Sequence, residues 1–65
     1  MKANALALAL RRELAAANSP TLAEVSEYTE ISEERLLQLR DGATASVAEV
    51  LKLADFYDYD PALFF

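Results

Sequence analysis

The chain has no Cys and no His, and only one Gly and two Pro in 65 residues. Without Cys or His there is no thiolate nucleophile, no imidazole base, no disulfide framework and no zinc ligand set of the usual kind, so most small-domain enzyme chemistries are removed. No enzyme activity, metal or cofactor is expected. A single Gly leaves little turn chemistry for hairpins, and no stretch alternates apolar and polar residues long enough to read as a strand. Long apolar runs are also missing. The segment Ala3 to Leu10 spans eight residues, and Arg11 and Arg12 follow it rather than precede it. It reads as neither a signal peptide nor a membrane span, and the cytoplasm is the expected location.

What is present is helix former. Of 35 apolar residues, 13 are Ala and 11 are Leu, against three Val and one Ile. The expected class is all-α. At this length one domain, residues 1–65, is the most the chain can form, and ordering it costs on the order of 100 kcal/mol at about 1.5 kcal/mol per residue. Nearly every apolar side chain must therefore enter one core or cover a partner, which leaves no room for a large catalytic cleft.

Local signals divide the chain into five helices. The first runs from about Ala3 to Ala17, with Leu6, Leu10 and Leu14 in one stripe beside Ala3 and Ala7, and stops at Asn18, Ser19 and Pro20. Leu8 falls off that stripe. Thr21 with Glu24 and Ser46 with Glu49 are capping boxes, hence two independent helix starts. The second helix reads Leu22 to Tyr28, with Leu22, Val25 and Tyr28 inward. After a break at Thr29, Glu30 and Ile31, Ser32 caps a third helix with Glu33 and Glu34 in its first turn, where carboxylates suit the dipole. That helix runs to about Arg40, and Gly42 closes it in the left-handed conformation. The fourth spans Val47 to Tyr57, with Val47, Val50, Leu51 and Ala54 on its inner face. Asp60 and Pro61 open a short fifth. The expected core is Leu6, Leu10, Leu14, Val25, Ile31, Leu36, Leu39, Val47, Val50, Leu51 and Ala54.

Net charge is −5, unevenly spread. Residues 20–34 carry Glu24, Glu27, Glu30, Glu33 and Glu34 without one Lys or Arg. Phosphate contacts supply much of the affinity for nucleic acid, so any such partner must be reconciled with this acidic stretch.

The order of three segments carries a resemblance over Thr21 to Phe65, about two-thirds of the chain. Val25 to Ser32 (VSEYTEIS), Leu36 to Gly42 (LLQLRDG) and Leu51 to Phe65 (LKLADFYDYDPALFF) resemble the DNA-binding domain of Cro and the lambda-type repressors, the bacterial and phage xenobiotic-response-element regulators. The resemblance implies a compact five-helix, lambda-repressor-like domain with a helix-turn-helix at helices 2 and 3. It also implies a transcriptional repressor that places its third helix in the major groove of double-stranded DNA. The departures are specific. Glu30 stands where the family often has Gly. The loop Ala43, Thr44, Ala45 is shorter than usual and uncharged. A family ion pair between helix 1 and helix 3 is replaced by Ala15 and Arg40, leaving Glu13 with Arg40 as a reversed pair.

With Leu36 and Leu39 turned inward, Glu34, Leu37 and Gln38 lie opposite them, flanked by Glu33, Arg40 and Arg35. Gln38 suits adenine, a Glu can accept from the cytosine amino group, and Leu37 can meet a thymine methyl. Thr21, Ser32 and Thr44 are the phosphate-side candidates, aided by N–H groups at helix starts. The DNA-contacting set is thus Thr21, Ser32, Glu33, Glu34, Arg35, Leu37, Gln38 and Thr44. The alternative is an interaction or oligomerisation module of the same fold, docking its acidic face on a basic protein partner without significant DNA binding. A homodimer joined through Leu63, Phe64 and Phe65 is expected, because a one-turn helix cannot bury both terminal rings beside Phe56 and Tyr57.

Overall fold

A computed structural model describes residues 5–65. Four α-helices follow one another, α1 (Ala5–Ala15), α2 (Leu22–Thr29), α3 (Glu33–Arg40) and α4 (Val47–Tyr57), and no strand occurs among the described residues. The expected fifth helix is a single 3-10 turn, Pro61–Phe64. The expected start of the first helix at Ala3 lies outside the described residues. Its end comes at Ala15, two residues early, because Ala16 to Asn18 already turn toward Pro20.

Each interior helix start is built as its local sequence dictates. The Thr21 hydroxyl accepts from the Glu24 N–H at 3.2 Å while the Glu24 carboxylate accepts from the Thr21 N–H at 2.8 Å. Ser46 and Glu49 repeat the arrangement at 3.1 and 2.9 Å. Ser32 accepts from the Arg35 N–H at 3.1 Å, and Asp60 from the Ala62 N–H at 3.0 Å. Each such oxygen satisfies a donor that the helix itself leaves orphaned.

The ends of α2, α3 and α4 share one device, a residue of positive φ. Gly42, at φ 108°, closes α3, with Gly42 N–H donating to the Leu39 carbonyl and Ala43 N–H to that of Gln38. Glu30 (φ 63°) and Asp58 (φ 62°) do the same for α2 and α4 without being glycine. At α2 the buried Thr29 hydroxyl donates to the Val25 carbonyl at 2.6 Å and accepts from the Ile31 N–H at 3.3 Å. The chain therefore turns sharply into α3 with its buried polar groups paired.

The core gathers Leu6, Leu10, Val25, Ile31, Leu36, Leu39, Val50 and Leu53, with Ala54 also fully buried. Helix α1 packs on α3, α2 on α3 and α4, and the 3-10 turn on α4 and α1. Burying a Leu or Val fully stabilises by about 1.5–3 kcal/mol, so Leu10, Leu36, Leu39, Leu53 and Val25 are the principal contributors. Leu14 packs against this core only partly buried.

Two expected core positions, Val47 and Leu51, and one expected inward residue, Tyr28, are corrected. Val47 is 62% exposed and Leu51 47% exposed, while Leu53 takes their place. Helix α4 carries two adjacent apolar rows, and the one that packs is rotated by roughly 60° from the expected row. The same rotation sets the Glu49 carboxylate against Arg35 of α3. Tyr28 is the third correction. Val25 and Thr29 form the inner row of α2, and Tyr28 swings out to lie on Phe56, ring centroids 4.9 Å apart.

Candidate nucleic-acid interface

Helix α3 buries Leu36 and Leu39 and exposes Glu33, Glu34 and Gln38. Leu37, expected on the outer row with them, is half-buried, so less of its side chain is available to a base edge. Ser32 is exposed at the entrance to α3 and Thr21 at the entrance to α2, each with its side-chain oxygen already accepting a backbone N–H. The next N–H groups, at Glu33 and Glu34 and at Leu22 and Ala23, have no acceptor within their helices, as at any helix start.

Arg35 is the organising residue. Its Nε donates to Glu49 Oε2 at 2.8 Å and its Nη2 to Glu49 Oε1 at 3.0 Å, a bidentate pair joining α3 to the first turn of α4. Nη2 also donates to the Thr44 carbonyl at 2.9 Å, and Nη1 to Gln38 Oε1 at 3.4 Å. One guanidinium thus gathers Gln38, Thr44 and Glu49 and ties the loop after α3 to the helix before it. The Arg35 side chain holds the Glu49 carboxyl well below the usual carboxylate range, at about 2, with the Ser46 N–H contributing to the same effect. The same hydrogen bond raises the Arg35 pKa further above its ordinary value. The pair leaves the cluster neutral, so Arg35 brings less positive field to the face than an unpaired guanidinium would.

The pairing of Glu13 with Arg40 does not form. Arg40 turns to its neighbour Asp41 at 3.3 Å, and its carbonyl accepts from Arg11 Nε at 3.1 Å. Glu13 instead accepts from the Tyr59 hydroxyl at 2.7 Å and from Ser19 at 3.4 Å, drawn toward the 3-10 end of the molecule. This hydrogen bond to a carboxylate raises the Tyr59 pKa above its ordinary value.

At the expected dimer surface Leu63 and Phe65 are exposed, at 54% and 56%. Phe64 turns the other way. It packs against the core and meets Tyr59 edge-on, ring centroids 5.7 Å apart. Leu8, 60% exposed, lines a mostly apolar groove with Ala5, Ala9, Arg12, Tyr59, Leu63 and Phe64.

Sequence reasoning assigned Glu49 to its cap alone and missed its pairing with Arg35. No signal marks a contact between residues 14 apart in a chain with several Glu. Among the described residues no group of carboxylates could hold a metal ion, and no helix is long and apolar enough to cross a membrane. Comparison with known protein families, curated proteins and solved structures finds no match for this chain.

Proposed function

We propose that the protein is a sequence-specific DNA-binding regulator of the Cro and lambda-repressor kind, with α2 and α3 as its helix-turn-helix. The observation that carries this reading is the pose of α3. Leu36 and Leu39 are fully buried while Glu33, Glu34 and Gln38 are exposed along the opposite side, on a helix entered by a tight left-handed turn at Glu30. Such a helix offers side chains to base edges, and the N-terminal groups of α2 and α3 offer N–H donors to phosphate. The partner is double-stranded DNA, read in the major groove. A homodimer through Leu63 and Phe65, with Phe64 behind them, would match half-sites about one helical turn apart.

The acidity shapes the mechanism rather than forbidding it. With Arg35 paired and residues 20–34 lacking any base, few phosphates are neutralised, so non-specific affinity is low and base contacts carry a larger share of the discrimination. The test is selection of a site from a random duplex pool, followed by fluorescence anisotropy at ~50 and ~200 mM salt. A selected site should bind with a shallow salt dependence. Gln38→Ala should reduce discrimination against mismatched sites, and Glu34→Gln should raise affinity for all duplexes. Failure to enrich any sequence at low salt would overturn the reading.

A further inference from the structure

The side of the molecule where α2 meets α4 carries a second feature. Tyr28 is 64% exposed and leans on Phe56, the two rings tilted 58° to one another. With Pro20, Glu24 and Glu27 they line a shallow notch of about 360 Å³. Its lining joins aromatic and apolar surface to two carboxylates. Glu24 has one oxygen committed to the Thr21 N–H, and Glu27 has no ion pair among the described residues.

We propose that this notch is a docking site for an arginine-bearing segment of a partner protein. The charge complementarity is local as well as general. The notch belongs to the stretch of residues 20–34 that holds five Glu and no base. A guanidinium is planar, weakly hydrated and bidentate, so it stacks on an exposed ring while its edge reaches a neighbouring carboxylate. Tyr28 supplies the ring, Glu27 the free carboxylate, and Pro20 and Phe56 the apolar walls that receive the methylene stem. An anionic partner is repelled here and a purely apolar one would bury the Glu27 charge unpaired. The site does not rest on the DNA-binding reading and holds whether or not that reading stands.

The probe is a nonapeptide bearing three Arg spaced by Gly and Ser, with a citrulline counterpart that keeps the shape and removes the charge. Titrated into isotopically labelled protein, the Arg peptide should shift the amide resonances of Glu24, Glu27, Tyr28 and Phe56 first. The citrulline peptide should leave them in place. Tyr28→Ala, a change at an exposed position, and Glu27→Gln should each weaken binding about fivefold or more. Asp60→Asn removes the same charge away from the notch and retains a helix-capping side chain, so it should change affinity less than twofold. Circular dichroism confirms that each variant is folded. Equal binding of the citrulline peptide, equal loss in Asp60→Asn and Glu27→Gln, or shifts spread evenly over all acidic positions would overturn the proposal. So would the same resonances moving on concentration of the protein alone, because a second copy would then be the occupant.

Discussion

Replacing Glu49 by Gln keeps the side-chain oxygen that accepts the Ser46 N–H, so the α4 cap survives while the ionic half of the Arg35 pair is lost. The unpaired reference for a carboxyl of this type is 4.5, and in the fold Glu49 titrates at about 2. Fully expressed, that difference corresponds to roughly 3 kcal/mol. The paired side chains keep 34% and 18% of their surface exposed, so solvent screening reduces the contribution to about 1–2 kcal/mol. Because the folded-state value is the lower one, the stabilisation is complete above about pH 4.5 and is lost as the pH falls toward 2. For a domain of this size, 1–2 kcal/mol moves the melting midpoint by about 4–16 °C. Melting followed by circular dichroism should place Glu49→Gln that far below the parent at pH 7. The two curves should converge near pH 2, where the parent's own Glu49 becomes protonated. The other carboxylates are common to both proteins and cancel in the difference. A variant that melts with the parent at pH 7, or a gap that persists unchanged at pH 2, would refute the assignment of Arg35 and Glu49 as the strut between α3 and α4.

Three further outcomes are expected. Glu30→Gly should raise the midpoint by several degrees, since a side chain held at φ 63° opposes its own backbone at a cost of about 1 kcal/mol that glycine avoids; a lower midpoint would show that the weak Lys52 contact of Glu30 matters more. Leu53→Ala should cost about 2–5 kcal/mol and Leu51→Ala well under 1, measured by urea denaturation, and the reverse order would mean that α4 is turned the other way. Tyr57→Phe should be neutral or stabilise by about 1 kcal/mol, because the Tyr57 hydroxyl is buried without a hydrogen-bond partner among the described residues and burial pushes its pKa up. A clear loss in a thermal melt would instead reveal a partner for that oxygen.

The helix starts were legible in the sequence because capping is local. Thr21 with Glu24, Ser32, and Ser46 with Glu49 each announce a start within four residues, and the structure uses every one. Gly42 likewise marked the end of α3. Facing was less legible. In helix α3, Leu36 and Leu39 are the inner pair, and Glu34 and Gln38 opposite them with Glu33 on the flank are exposed as expected, whereas Leu37, expected in the outer row, is half-buried. Helix α4 has more apolar residues than it can bury, so periodicity alone could not choose between Leu51 and Leu53. Tyr28 was misplaced for a related reason, since its ring suits an inner position as well as it suits Phe56. The Arg35 cluster was beyond reach altogether, because it depends on how two helices cross and not on the spacing within either.

The hydrogen bond from Tyr59 to Glu13 spans 46 positions of sequence, and with the packing of the 3-10 turn on α1 it draws the polypeptide into a closed ring. Neither α1 nor the 3-10 turn is long enough to persist in water by itself. Each is held by the other and by the core beneath, and α1 also packs on α3 through Leu6 and Leu10, so opening of the clasp should reach α3 as well as the two ends. The α3 face is thereby coupled to the clasp. Leu8 and Leu63 already stand exposed beside the clasp, so a second molecule that covered them should steady α1 and, through it, the helix that carries Gln38.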